Sequence, residues 1–323
     1  MSSSIKYTGQ TVLGKWDLDS FGMVDIHIPR ERVLELRRTS ATSAGVFKKF
    51  NVEHRKQGLL FVKSGSTRGS LYRSLHPITE KICSEIGLLI GFSVVESKLW
   101  VIDRRLFSRI EDLSETSLEE MRSLTLPPNL ESYTFDRTLA RHNRALVSVT
   151  KSFIPDGYKY DSCERVFGEV YHRQLYEVIS QSKFFKPDIR KSLHQMILFD
   201  FLIHNQDRHT RNFGFLTDGV HTRMTPLFDH GLALLSEYAL EEIEEHEGEI
   251  WGLGGGKPFG SLLSALDLVD RSSLEDLDLS IAASEIVSIV DKYGALLPPL
   301  RLKYMKETVE RRWNYVKKVF SPI

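Results

Sequence analysis

The hydrophobic pattern of this chain changes its period near the middle, and this change constrains the fold more than any other feature. In the front half, β-branched and aromatic residues run between small-residue turns, which is typical of strands. From about residue 165 onward, apolar residues recur at the spacing of amphipathic helices. A strand-rich front half followed by a helical back half predicts an α+β protein with two lobes.

Most of the predicted strands lie before residue 154, and one short strand is predicted over 213–216. Single strands are predicted over 41–52, 58–65 and 144–153, and a pair of strands over 92–107. One helix interrupts them over 76–91, because isoleucine and leucine fall there at helical spacing.

Helices dominate the remainder of the chain. Two amphipathic helices are predicted over 170–180 and 188–203, and the tail from residue 273 is again helical. The basic residues of this tail, among them Arg301 and Arg312, are expected to form an ordinary charged surface. The predicted organisation is an N-terminal extension over 1–40, an N-lobe over 41–150 and a helical C-lobe over 151–323.

A dense polar segment, HNQDRHTRNFGF at 204–215, follows the second of these helices directly, and PLFDHG lies downstream of it. A carboxylate, an amide five residues later and a second carboxylate near a strand are the groups that a magnesium–nucleotide site requires. Asn212 and Asp229 would supply oxygen ligands, and Asp207 would accept the proton of an attacking hydroxyl. His209 would brace the loop by hydrogen bonding. An isolated Asp-x-His is more often turn chemistry, so the prediction depends on the combination.

Lys63 ends the apolar strand GLLFVKSG, which is an unusual place for an ammonium group unless it faces a partner. Glu80, in the first turns of the next helix, is the expected partner, and Glu85 is the competing carboxylate. Such a pair would hold the ammonium against the α and β phosphates of a nucleotide. The alternative is that Lys63 marks the strand's exit into solvent.

A small-residue loop, TSATSAG at 39–45, precedes the first of the N-lobe strands. Such loops can bring backbone N–H groups close to phosphate, although most of them are simple turns. The expected nucleotide contacts in this loop are Thr42, Ser43, Ala44 and Gly45.

Composition excludes several function classes. Lysine and arginine (43) cancel aspartate and glutamate (43), so no global field directs the chain to nucleic acid or to an anionic membrane. The two cysteines, Cys83 and Cys163, match no metal-ligand spacing and argue against a disulfide scaffold. No signal peptide and no apolar run near the roughly 20 residues of a membrane span are found. We expect a cytoplasmic location, with secretion by a signal-independent route as the alternative.

The segments TSAGVFKK, FVKSG, NQDRHTRNFGFL and PLFDHG occur in the order of the HipA-like family of bacterial serine/threonine kinases. The chain resembles that family over about two thirds of its length, and its catalytic loop fits the family pattern N-x-D-x-H-x-x-N. The resemblance implies a two-lobed protein-kinase-like fold that uses ATP and Mg²⁺. It implies Asp207 as the catalytic aspartate, Lys63 as the nucleotide lysine, and Asn212 and Asp229 as metal ligands.

The resemblance has two further implications. The family autophosphorylates a serine or threonine in its small-residue loop, and Thr42 falls on that position, with Ser43 and Ser40 beside it. The segment 146–153 is our candidate for the link between the lobes. The residues expected to contact the nucleotide there are Val147, Ser148 and Val149.

About 40 residues precede the phosphate loop, which places the chain closer to the short members of the family. The expected partners are a protein substrate with a serine or threonine acceptor, and an antitoxin or a separate N-terminal subdomain protein. A toxin kinase and a secreted effector both remain open. The alternatives are a lipid or small-molecule kinase, since phosphoinositide kinases share a D-R-H-x-x-N loop, and a non-catalytic nucleotide-binding regulator.

Overall fold

The structure, a computed structural model, describes most of the chain from residue 58 onward and several short strands before it. The described stretches are 58–65, 75–103, 144–168, 172–182, 185–245 and 258–320, with the short pieces 5–7, 26–27, 34–37, 49–54, 67–68, 71–72 and 255–256 and the single residues 136 and 139. Contacts divide the chain into two compact units. The strand-rich unit comprises 1–81, 96–152 and 292–299, and the helical unit comprises 82–95, 153–291 and 300–323.

A seven-stranded sheet forms the strand-rich unit. In spatial order its strands are β1 (Ile5–Tyr7), β3 (Leu34–Arg37), β4 (Lys49–His54), β5 (Gly58–Ser64), β9 (Arg144–Lys151), β8 (Ser97–Asp103) and β2 (Ile26–His27). Neighbouring strands are antiparallel except for β2, which runs parallel to β8. Two further strands, β6 (Thr67–Arg68) and β7 (Leu71–Tyr72), pair with each other outside this sheet.

One part of this sheet differs from the sequence-based expectation. The segment 92–107, predicted as a pair of strands, contains only β8 among its described residues. Val94 instead makes an isolated parallel bridge to Leu227. The described pieces of the first 40 residues extend the same sheet. Strand β3 lies next to β4 with β1 beyond it, and β2 lies next to β8 at the opposite edge.

Helix α1 (Leu75–Ile90) confirms the helix predicted over 76–91. Its isoleucines at 78, 82, 86 and 90 are fully buried, because they recur every four residues along one face. Gly91 ends the helix with a φ of +98°, a backbone conformation that residues with a side chain rarely adopt.

The helical unit carries a small antiparallel sheet, β10-β11-β12, among its helices. Its elements are β10 (Lys159–Ser162), α2 (Cys163–Phe167), α3 (His172–Ser180), α4 (Pro187–Leu202), β11 (Gly214–Thr217), β12 (Thr222–Met224), α5 (Leu240–Glu245), β13 (Gly255–Gly256), β14 (Gly260–Ser261), α6 (Leu262–Ala265), α7 (Ala283–Asp291) and α8 (Pro299–Phe320). Short 3₁₀ turns cover Leu266–Leu268, Arg271–Leu274 and, in the strand-rich unit, Gly294–Leu296.

The C-terminal helix α8 departs from the prediction of an ordinary charged surface. Arg301 and Arg312 are buried rather than exposed, at 1% and 0%. Arg301 donates to the carbonyls of Leu235 and Tyr238, each at 2.8 Å, and Arg312 donates to the carbonyl of Phe201 at 2.7 Å. Each of these bonds offsets part of the cost of burying a guanidinium group. Across the described ranges, no helix combines the length and the apolar character that crossing a membrane requires.

Candidate active site

Lys63 and Glu80 meet within the strand-rich unit. Alternation along β5 buries Leu60, Val62 and Ser64 and leaves Lys63 on the opposite face. The Nζ atom of Lys63 lies 3.6 Å from Oε2 of Glu80, which is in the second turn of α1. Their side chains are only 13% and 7% exposed, so the ammonium is held beside a carboxylate with little water around either.

Helix α4 positions the polar loop of the helical unit. Its apolar residues pack into the core, and the helix ends before His204, whose φ of +52° turns the chain away from the helical path. The N–H of Asn205 donates to the backbone carbonyl of Asp200 at 2.8 Å. The side-chain amide of Asn205 donates to the Asp200 carboxylate, also at 2.8 Å. The start of the loop is therefore fixed to the last turns of α4.

Asp207 and His209 lie on the exposed side of this loop, each with a side chain 32% exposed. The N–H of Asp207 donates to Oδ1 of Asn205 at 3.2 Å, which orients the backbone that carries the carboxylate. The N–H of Arg211 donates to Nδ1 of His209 at 3.2 Å, so the His209 proton belongs on Nε2 when the ring is neutral. That Nε2 atom lies 4.0 Å from Oδ2 of Asp207.

Asn212 closes the loop back onto Asp207. Its side-chain Nδ2 donates to the backbone carbonyl of Asp207 at 3.0 Å, and this bond leaves Oδ1 as the acceptor end of the amide. Asn212 itself is 6% exposed. Next along the chain, β11 begins at Gly214, where an added Cβ would lie 2.3 Å from the carbonyl oxygen of Asp161. Only glycine permits this close approach of β11 to β10.

Asp229 follows β12 and is brought to the loop by backbone pairing. The N–H of Thr225 donates to the carbonyl of Gly214 at 3.0 Å, so the segment after β12 runs beside the start of β11. Asp229 has a φ of +62°, in the left-handed region that aspartate tolerates better than most residues. The preceding Phe228 stacks on Phe153 with ring centroids 4.9 Å apart.

Arg208 joins the loop to the Asp229 segment. Its Nη1 atom donates to the carbonyl of Asn212 at 2.8 Å and to the carbonyl of Phe228 at 2.7 Å. Its Nε and Nη2 atoms donate to the Asp200 carboxylate, each at 2.9 Å. Arg208 is 0% exposed, and Asp200 is 4% exposed. One buried guanidinium thus holds the backbone at Asn212 and directly before Asp229, the two candidate metal ligands.

The sequence reasoning did not single out Asp200 or Arg208. A signal was present, because Asp200 stands inside the apolar run ILFDFLI, and a buried carboxylate requires a charged or hydrogen-bonding partner. The reasoning also missed Tyr160, whose hydroxyl donates to the carbonyl of Arg211 at 3.1 Å. Burial raises the pKa of the Tyr160 hydroxyl well above its usual range, with smaller contributions from Cys163 and nearby carboxylates.

The other residues predicted to contact the nucleotide form two groups, one in β9 and one outside the described residues. Val147, Ser148 and Val149 are buried in the middle of β9, whose backbone pairs with β5 on one side and β8 on the other. Only their side chains remain to contact a nucleotide, and Ser148 lies directly opposite Lys63. The phosphate-loop residues Ser40, Thr42, Ser43, Ala44 and Gly45 lie outside the described residues.

A family comparison identifies the chain. The model of the HipA-like C-terminal domain matches residues 41–248, which is well over half of the sequence. The chain belongs to the HipA-like C-terminal domain family. Membership and the kinase-like fold together support a phosphotransferase, a kinase of the HipA-like type. A comparison of the sequence with curated proteins gave no match.

Solved structures resemble this HipA-like chain at low sequence identity. The proinflammatory kinase CtkA of Helicobacter pylori has a TM-score of 0.56 at 15% identity, over 86% of this chain and 92% of CtkA. The Golgi casein kinase with Mn/ADP bound has a TM-score of 0.46 at 12% identity, over 86% and 71% of the two chains. HipA of Shewanella oneidensis, in a complex with HipB and operator DNA, has a TM-score of 0.40 at 16% identity, over 88% and 68%. The likeness to CtkA shows the protein-kinase-like fold.

Proposed function

We propose that this HipA-like chain is an ATP-dependent protein kinase that phosphorylates serine or threonine hydroxyls. The observation that carries the proposal is the convergence of Asp207, Asn212 and the Asp229 segment, which Arg208 and Asn205 hold in one hydrogen-bond network. A carboxylate with an amide five residues later and a second carboxylate on a neighbouring segment is the arrangement that phosphoryl transfer requires.

The residues present fit a divalent metal. The amide oxygen of Asn212 and the carboxylate of Asp229 are hard oxygen donors, which Mg²⁺ prefers over nitrogen or sulfur. The bond from Asn212 Nδ2 to Asp207 presents the amide oxygen, and not the nitrogen, as the free end. When bound, Mg²⁺ would neutralise charge on the nucleotide's phosphates.

The chain's own residues would divide the work of transfer. The hydroxyl oxygen of the acceptor attacks the γ-phosphorus, the bond from that phosphorus to the bridging oxygen of ADP breaks, and the hydroxyl proton passes to Asp207. Lys63, held by Glu80, would offset negative charge on the α and β phosphates. His209 would keep the Asp207 loop in place through its bond from the N–H of Arg211.

Membership of the family supports the following proposals on regulation and partners. The loop carrying Thr42, Ser43, Ala44 and Gly45 would bind ATP phosphates, with autophosphorylation at Thr42, Ser43 or Ser40. An antitoxin or a separate N-terminal subdomain protein would be the binding partner of a toxin kinase, whereas a host protein would be the substrate of a secreted effector. CtkA is described as proinflammatory, which makes the effector role worth testing first.

Transfer from radiolabelled ATP tests the proposal. The purified chain is incubated with γ-labelled ATP and Mg²⁺, alone, with a library of serine- and threonine-containing peptides, and with phosphoinositide vesicles. We expect label on the chain itself and on peptides, and none on lipid. Label on lipid alone would indicate the lipid-kinase alternative, and ATP binding without any transfer would indicate a non-catalytic regulator.

A further inference from the structure

Arg208 uses its guanidinium to connect three segments: the end of α4, the loop that follows it and the segment after β12. Two of its nitrogens bind the Asp200 carboxylate on α4, and the third bridges the carbonyls of Asn212 and Phe228. Asn212 is one proposed metal ligand, and Phe228 directly precedes the other, Asp229. The guanidinium therefore helps to set the distance between the two ligand-bearing stretches of backbone, together with the bond from the N–H of Thr225 to the carbonyl of Gly214.

Burial makes this connection sensitive to change. Arg208 and Asp200 are 0% and 4% exposed, and a buried ion pair is an expensive way to gain stability. Apolar residues could not reproduce the hydrogen-bond geometry of this ion pair. Lysine could not reproduce it either, because one ammonium nitrogen lacks the planar fork that reaches a carboxylate and two carbonyls together.

We propose that Arg208 is a positioning residue that sets the separation of the Asn212 and Asp229 oxygens, and with it the affinity for a divalent cation. The inference rests on the proposed function only in taking these two residues as the metal ligands. Replacing a residue that orients a metal ligand commonly lowers the affinity for the metal by about 10- to 100-fold. Asp200 and Asn205 share the role, because they fix Arg208 and the start of the loop to α4.

The test measures metal binding directly. Mn²⁺ is titrated into the full chain in the presence of a non-hydrolysable ATP analogue, and free Mn²⁺ is followed by electron paramagnetic resonance. For Arg208→Lys we expect the Mn²⁺ dissociation constant to rise by about 10-fold or more. Binding of the analogue in the presence of EDTA should change less than about twofold, since Arg208 contacts backbone and the Asp200 carboxylate rather than nucleotide.

A matched control separates positioning from stability. Arg312→Lys removes another fully buried guanidinium that donates to a backbone carbonyl of α4, that of Phe201. It should lower the melting temperature while leaving the Mn²⁺ dissociation constant within about twofold of wild type. If Arg208→Lys does not fold, Asp200→Asn keeps the volume of the site and weakens the hold on Arg208, and it should also weaken Mn²⁺ binding.

The outcomes distinguish this inference from the proposed function. A wild-type chain that binds Mn²⁺, together with a folded Arg208→Lys or Asp200→Asn variant of unchanged affinity, would overturn the positioning role and leave the kinase proposal standing. A wild-type chain that binds no Mn²⁺ with the analogue would overturn both.

Discussion

The ammonium of Lys63 lies 3.6 Å from the carboxylate of Glu80, and both side chains are largely shielded from water. The pair is formed between β5 and α1 inside the strand-rich unit. Because Glu80 fixes the direction of the ammonium, its loss should alter how Lys63 meets a nucleotide without removing the positive charge.

Glu80→Gln is therefore expected to lower kcat/KM for ATP by about 100-fold, the scale found when a preorganised charge interaction is lost. Glu85→Gln is the matched control, because it removes a carboxylate from the same helix five residues further on. Measuring kcat/KM for ATP in both variants by steady-state kinetics tests this prediction. Equal losses in the two, or an unaffected Glu80→Gln, would contradict the assignment of Glu80.

The buried arginines of α8 should matter for folding rather than for chemistry. Arg312→Ala leaves the carbonyl of Phe201 without its donor and opens a void, so we expect a loss of about 1–3 kcal/mol in the free energy of unfolding. Arg311→Ala, one residue earlier and half exposed, should change it by less than about 0.5 kcal/mol. Urea denaturation of both variants gives the comparison, and similar values for the two would argue against the buried placement of Arg312.

The two cysteines should be unreactive in the folded protein. Neither Cys83 nor Cys163 forms a disulfide, and both are 0% exposed. Burial raises the pKa of the Cys163 thiol from 9.0 to about 12. At pH 8 a thiol reagent should label neither in buffer and both in denaturant. Rapid labelling of the folded chain would contradict the burial.

The same pKa shift predicts a dependence of stability on pH. A thiol whose pKa is raised on folding contributes stability that is fully present below its unfolded pKa of 9.0. That contribution is lost as the pH rises from 9.0 toward about 12. Urea denaturation at pH 8 and pH 10 should show this loss in wild type, and Cys163→Ala should reduce it.

Phosphorylation of the small-residue loop should inactivate the chain. A phosphate on Thr42 or Ser43 adds about 1.5 to 2 negative charges where ATP phosphates are proposed to bind, so ATP binding should be lost. Intact mass before and after phosphatase treatment, paired with ATP binding, checks this. The variant with alanine at Ser40, Thr42 and Ser43 should incorporate no phosphate in the loop, and a phosphorylated chain that binds ATP normally would refute the mechanism.

The fold was predictable where hydrophobic period and length agreed. Helices α1 and α4 have apolar residues at regular spacing and lie within one or two residues of the predicted bounds. The segment 92–107 misled the prediction, because its apolar residues up to Val95 connect to the Leu227 segment and do not form a strand of their own. Composition alone does not separate a strand from such a connection.

The candidate site could be predicted from the sequence where residue type and spacing carry a chemical signal, and less so where buried side chains support it. Asp207, Asn212 and Asp229 stand out because their residue types and spacing match the groups that a magnesium–nucleotide site requires. Arg208 and Asp200 were missed because their roles depend on the partners that folding supplies. The burial of Arg301 and Arg312 is missed for the same reason, since their acceptors are backbone carbonyls that any residue could provide.

The most direct test of the account compares Asp207→Ala with Asp229→Ala, measuring both phosphoryl transfer and binding of Mg²⁺ with ATP. Asp207→Ala should lower transfer by about 10²- to 10⁴-fold and leave nucleotide binding close to wild type, because Asp207 is proposed to accept a proton and not to hold the metal. Asp229→Ala should weaken binding as well as transfer. Full transfer activity in Asp207→Ala would contradict the claim that this loop performs the chemistry.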